Sequence, residues 1–198
     1  MNNLDPRTKR TLSAYRDALT RLLRKKPLEQ ITVSELSSLA GYHRSTFYRH
    51  YNHVAELFAE IQEEMLSEFE TILARHLPQK ADEPIILGRD TASTIRILSD
   101  AFMMIKRNAT FASVILSNPL ENQLLRRLLQ SGRHYALYSN TSKLDERDAE
   151  YYDRYYTFLT GGFIATIQRW LEEGMVMSAE ELARLCNEFI ALGATSKV

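Results

Sequence analysis

Residues 32–51 constrain the fold more than any other stretch, because they demand two short helices joined by a tight turn. Thr32 has the chemistry of an N-cap, and Glu35 three residues later can return a hydrogen bond to the Thr32 backbone N–H. This is a capping box, so a helix starts at Val33. Val33, Leu36, Leu39 and Ala40 recur on one face, and Gly41 supplies the permissive backbone on which helices commonly end. The pattern resumes with Phe47 and Tyr51, four apart, as the buried side, which leaves His43, Arg44, Ser45, Thr46, Tyr48, Arg49 and His50 outward. A face so dense in donors is poor for core packing and suits a groove. Arg bonds guanine edges in pairs, Ser and Thr reach bases or phosphates, and Tyr hydroxyls reach phosphate oxygens. The stretch reads as a helix-turn-helix with residues 44–50 as the recognition helix.

The rest of the composition agrees with a helical protein. Seven Gly and five Pro in 198 residues are few, which favours long uninterrupted helices over a loop-rich or all-β fold. The formal net charge is zero, but the charge is unevenly placed: residues 1–58 hold ten Lys or Arg against five Asp or Glu. A basic module on an acidic body favours phosphate contact at one end. The one cysteine, Cys186, excludes an internal disulfide framework and, lying in an apolar helical pattern, reads as a buried thiol. The first residues lack the apolar segment of a secretory signal, and no apolar run approaches the ~20 residues needed to span a bilayer. A soluble, cytoplasmic chain without membrane contact is expected.

Asp5-Pro6 opens a first helix, with Leu12, Tyr15, Leu19, Leu22 and Leu23 as its stripe and Arg24, Lys25 and Lys26 closing it before Pro27. Past the recognition helix, Asn52-His53 cap a long helix faced by Val54, Leu57, Phe58, Ile61, Met65, Phe69, Ile72 and Leu73. Residues 79–88 read as a loop. Helices follow at 91–106, with Ile95, Leu98, Phe102 and Ile105 inward, at 110–116, and at 120–138 with a kink possible at Gly132; Asn118-Pro119 marks a boundary and 139–144 a further loop. Two helices finish the chain, 146–173 and 179–192. The first is apolar around more of its circumference than a surface helix requires, and Gly161-Gly162 inside it suggest close helix approach.

The ordered run from Ile31 through Leu39-Ala40-Gly41-Tyr42 to Arg44-Ser45-Thr46-Phe47-Tyr48 and Tyr51 resembles the DNA-binding signature of the TetR family of bacterial transcription regulators. His43 stands where that family usually has Ser or a similar small capping residue. Val54 stands where it usually has a phosphate-contacting Lys, which leaves that contact without its usual side chain. Residues 156–183 resemble the C-terminal region of a subgroup that includes regulators of the dihydroxyacetone-kinase type. The resemblance implies an all-α fold of about nine helices: a DNA-binding head at 1–52 and a helical regulatory and dimerisation body at 53–198. It implies a homodimeric repressor released from a palindromic operator by a small-molecule or protein effector, acting on double-stranded DNA. Arg44 is expected to contact bases, with His43 and Ser45 beside it. Thr32, Thr46, Tyr48 and His50 are assigned to phosphates, and Tyr42 and Arg49 complete the DNA-binding set. In the family the last two helices of each subunit form a four-helix interface, which points to Tyr155, Leu159, Gly162, Phe163, Thr166, Trp170, Leu182, Leu185 and Phe189.

Adaptable Met and aromatic side chains suit an apolar effector pocket, for which Phe69, Phe102, Met103, Phe111, Tyr135 and Tyr138 are the candidates. The spacing of His50, His53 and Glu56 crosses the turn between two helices, so no metal is expected. No Gly-rich phosphate loop, nucleophile elbow or paired-His motif is present, so neither a cofactor nor an enzymatic activity is expected. The alternative reading is a helical protein-interaction module, or a coactivator-dependent activator, with a weak DNA-binding head.

Overall fold

A computed structural model of the chain describes residues 5–76, 91–117, 122–138 and 146–194, with the side chains of 91, 134–138, 146–149, 152 and 192–194 left out. Among these residues there are nine α-helices and no strand. The loops expected at 79–88 and 139–144, and the boundary at Asn118-Pro119, lie outside the described residues. The chain forms two compact units, residues 1–65 and 66–198.

The first unit opens with α1, Pro6–Leu23, capped by the Asp5 carboxylate, which accepts from the Arg7 N–H at 3.4 Å. Arg24, Lys25 and Lys26 were expected inside this helix but lie past its end. The Lys25 and Lys26 N–H groups both bond the Leu22 carbonyl, tightening the last turn before Pro27 begins a short 3-10 turn at Leu28–Gln30. Then come α2, Val33–Ala40, and α3, Arg44–Phe47. The long helix α4, Val54–His76, contributes its first part to this unit and its remainder to the second. Tyr15, Leu19, Leu36, Phe47 and Leu57 are fully buried and form the head's core. At its edge Arg16 reaches α4, donating to Glu60 at 2.9 Å and Glu64 at 2.5 Å. Burial pushes the Tyr51 phenol well above its usual range, and the Glu60 carboxylate beside it adds to the shift.

The second unit contains α5 (Thr91–Arg107), α6 (Ala109–Ser117), α7 (Gln123–Tyr138), α8 (Glu146–Glu172) and α9 (Ala179–Ala194). Its core joins Leu98 and Phe102 of α5, Leu159 and Trp170 of α8, and Leu182, Ala183, Cys186 and Ile190 of α9. The Trp170 indole donates to the Met177 carbonyl at 2.8 Å across a turn in which Gly174 and Met175 both have positive φ, 73° and 57°. Gly takes that conformation freely; Met does so at a cost. Ser178 and Glu181 then form a capping box that opens α9. Burial raises the Cys186 thiol to about 11, which keeps it unreactive.

Helix α7 runs through Gly132 without a break. The glycine is there for space: a Cβ on it would stand 2.6 Å from the Tyr156 hydroxyl, which donates to the Leu129 carbonyl at 2.9 Å. No helix among the described residues is long and apolar enough to cross a membrane.

Candidate nucleic-acid interface

The capping box read from the sequence is present in full: Thr32 Oγ1 accepts from the Glu35 N–H at 3.2 Å, and Glu35 Oε2 accepts from the Thr32 N–H at 3.1 Å. The Lys26 ammonium lies 2.7 Å from the same carboxylate. That ammonium first, then the Thr32 amide and hydroxyl, hold Glu35 down to about 2. Helix α2 ends on Gly41, left-handed at φ 75°, with the Gly41 and Tyr42 N–H groups returned to the Ser38 and Ser37 carbonyls.

The turn delivers His43 as the N-cap of α3. Its Nδ1 accepts from the Ser45 N–H at 3.3 Å, so the imidazole fills the role a small hydroxyl residue usually takes. The His43 carbonyl accepts from the Thr46 N–H at 2.9 Å and from the Tyr15 hydroxyl of α1 at 3.3 Å. Tyr15 is a positioning residue that the sequence reading placed only in a core stripe. Its signal was weak, since nothing local links it to a residue 28 positions away.

The regular helix is shorter than the expected 44–50, because α3 stops at Phe47 and residues 48–50 form a turn. Phe47 is wholly buried, with ring centroids 5.3 Å from Tyr15 and 5.4 Å from Tyr51. Pinned by that one side chain, the segment exposes His43, Arg44, Ser45, Tyr48, Arg49 and His50, while Tyr42 and Thr46 are half-buried. Tyr42 stacks obliquely on Tyr15 at 5.7 Å. Thr32 is exposed, but its hydroxyl is engaged by Glu35 on both sides. Val54 is buried, so the position where a Lys is usual forms part of the core. His53 lies 3.3 Å from Glu56, whose carboxylate is held below its usual range by the Asn52 N–H and side-chain amide.

Electrostatics refine the charge count. Within residues 1–65 the ten cations face eight acids, because Glu60, Glu63 and Glu64 follow the earlier five. Arg16 and Lys26 are paired internally. The free positive charge therefore sits on the ends of α1 and on Arg44 and Arg49, which have no ion-pair partner among the described residues.

In the second unit, Leu159, Trp170 and Leu182 are buried within the chain itself, Tyr155, Phe163, Thr166 and Leu185 are half-buried, and Gly162 and Phe189 are exposed. Phe158, passed over in the sequence reading, is 78% exposed on α8. Among the described residues, a Cβ on Gly161 or Gly162 would meet nothing within 4 Å, so no described helix explains the pair. Of the pocket candidates, Phe102 and Phe111 are core, Phe69 is half-buried and Met103 is exposed; the side chains of Tyr135 and Tyr138 lie outside the described residues.

Residues 93–191 match a family described as the C-terminal region of transcriptional regulators, of the TetR type. No curated protein matches the chain in sequence. The fold is similar to that of a TetR-like transcriptional regulator from Rhodococcus sp. RHA1, with TM-score 0.64 and 18% identity over 96% of both chains. A TetR transcriptional regulator from Streptococcus agalactiae 2603V gives 0.54 and 22% identity over 93% of this chain and 95% of that one. The dihydroxyacetone kinase operon activator DhaS gives 0.54 and 15% over 93% and 96%.

Proposed function

The chain belongs to the TetR family of transcriptional regulators, and from that premise we propose that it is a homodimeric repressor that reads a near-palindromic operator with the two copies of α3. The observation that carries this reading is the construction of α3. One buried ring fixes it, and the side chains around that ring are exposed donors of the types that bond base edges and phosphates. Arg44 contacts bases, with His43 and Ser45 beside it; Tyr48, Thr46 and His50 contact phosphates. The Thr32 hydroxyl is committed to its helix cap, so its contribution is to hold α2 in place.

Bare Gly161-Gly162, with Phe158 and Phe189 exposed on the last two helices, support a second copy as the covering partner. Two-fold symmetry then matches operator symmetry, with half-sites about one helical turn or a small multiple apart. An effector bound in the body releases DNA only if it binds the released state more tightly than the DNA-bound state.

The test is binding to DNA from upstream of the protein's own coding region, across a salt series, beside an Arg44→Ala, Tyr48→Ala variant. The expected result is tight, selective binding with a steep salt slope, lost in the variant. Weak binding that is equal for all genomic fragments and unchanged in the variant would sink the reading. Similarity to the dihydroxyacetone kinase operon activator DhaS favours activation as the second reading of the sign of regulation. A reporter gene separates the two, rising on deletion of a repressor and falling on deletion of an activator.

A further inference from the structure

We propose, resting on the DNA-binding reading above, that His43 is a specificity-determining residue. It presents one hydrogen-bond donor of fixed identity, Nε2–H, to a guanine edge in each half-site.

The argument begins with the cap. Nδ1 of His43 accepts from the Ser45 backbone N–H at 3.3 Å and lies 3.0 Å from the Ser45 hydroxyl. A backbone amide only donates, so Nδ1 carries no proton. The neutral ring must then bear its proton on Nε2, at the opposite edge. His43 is exposed, and Nε2 has no partner among the described residues.

The residue is also held at its backbone. Its carbonyl takes hydrogen bonds from Thr46 and from the Tyr15 hydroxyl. A ring tethered through Nδ1 on an anchored backbone presents its far nitrogen in a narrow range of directions. A Ser at this position would cap α3 equally well but end at its hydroxyl, with nothing left to reach outward. The imidazole does both jobs because its two nitrogens have opposite roles.

A lone donor discriminates among bases. Guanine offers two adjacent acceptors in the major groove, N7 and O6, and so meets such a donor best, whereas adenine and thymine offer one acceptor each and cytosine only an amino group. A phosphate oxygen would accept the same proton, so sequence dependence must separate base contact from backbone contact.

Selection from a randomised DNA library with the wild type, His43→Ser and His43→Asn makes that separation, with thermal melts confirming that each variant is folded. Ser and Asn are both strong N-caps, so α3 should persist in both. In His43→Ser the preference for guanine at one position per half-site should fall roughly tenfold while the other positions stay as they are. In His43→Asn the same position should turn to adenine, whose N6 and N7 match an amide. An unchanged motif in His43→Ser overturns the proposal and leaves His43 as a cap alone. A uniform loss across all sequences overturns it in favour of a phosphate contact. A wild type that selects no sequence rejects the DNA-binding reading itself, an outcome distinct from both.

Discussion

Among the described residues, the shortest and longest α-helices, α3 with 4 residues and α8 with 27, treat their exposed faces in opposite ways. Helix α3 is too short to persist on its own propensity. It exists because His43 caps it and Phe47 is buried beneath it, and almost everything else it carries is a polar donor in water. Helix α8 has ample length and a buried side of its own, yet it leaves Phe158 and a bare glycine pair outside. Exposed donors are satisfied by water until acceptors replace it, whereas exposed apolar surface is unfavourable until something apolar covers it. On the proposed reading the two faces therefore take different partners: a polyanion for one, a packed protein surface for the other.

The strongest way to break the comparison is Phe47→Ala. Losing a fully buried ring should cost about 3–5 kcal/mol and abolish DNA binding with it, as read by denaturant melts and a binding titration. A variant that keeps both would mean that something other than Phe47 orients α3. Next, Phe158→Ala should weaken self-association by about 2 kcal/mol or more, roughly 30-fold, in sedimentation equilibrium while leaving the melting of dilute subunits unchanged. Dimerisation identical to wild type would remove Phe158 from the interface.

A pair of glycine substitutions sharpens the contrast further. Gly132→Ala forces a Cβ against the Tyr156 hydroxyl and should destabilise the subunit by about 1–3 kcal/mol. Gly161→Ala meets nothing within 4 Å among the described residues and should stabilise the isolated chain by up to about 1 kcal/mol through helix propensity. Thermal melts at low concentration test both, and the same sign for the two would contradict the packing described for α7 and α8.

The smallest effect is one of pH. Glu35 is held at about 2 against an ordinary 4.5, so its contribution to stability is fully present above 4.5 and is lost as the pH falls from there towards 2. Because the carboxylate is exposed, the loss should be slight. It should appear as a stability difference between wild type and Glu35→Gln that narrows over that range; a constant difference would show that the Lys26 and Thr32 contacts do not persist in solution.

What the sequence disclosed was whatever neighbours decide among themselves. The capping box of Thr32 and Glu35, the Gly41 stop and the Phe47–Tyr51 face each depend on residues within four positions, and each appears in the structure as read. The reason for Gly132 was not legible, because Tyr156, which needs the space, belongs to another helix. Arg16 and Lys26 counted towards a basic surface until Glu60, Glu64 and Glu35 proved to be their partners. On α8 the apolar residues surround so much of the circumference that periodicity alone had no means to choose a side. Leu159 and Trp170, assigned to a partner, are buried in the subunit, while Phe158 between Thr157 and Leu159 is the exposed ring.

The chain has a single tryptophan, and Trp170 is sealed into the core of the second unit beside Phe102, its indole N–H tied to the Met177 carbonyl. The head contains tyrosines and phenylalanines but no tryptophan. The molecule therefore carries a built-in optical division: fluorescence excited at the red edge of protein absorption sees the body alone, while amide circular dichroism sees every helix. Where the two melting curves coincide, head and body unfold together. Where they part, the gap between them is the head unfolding by itself.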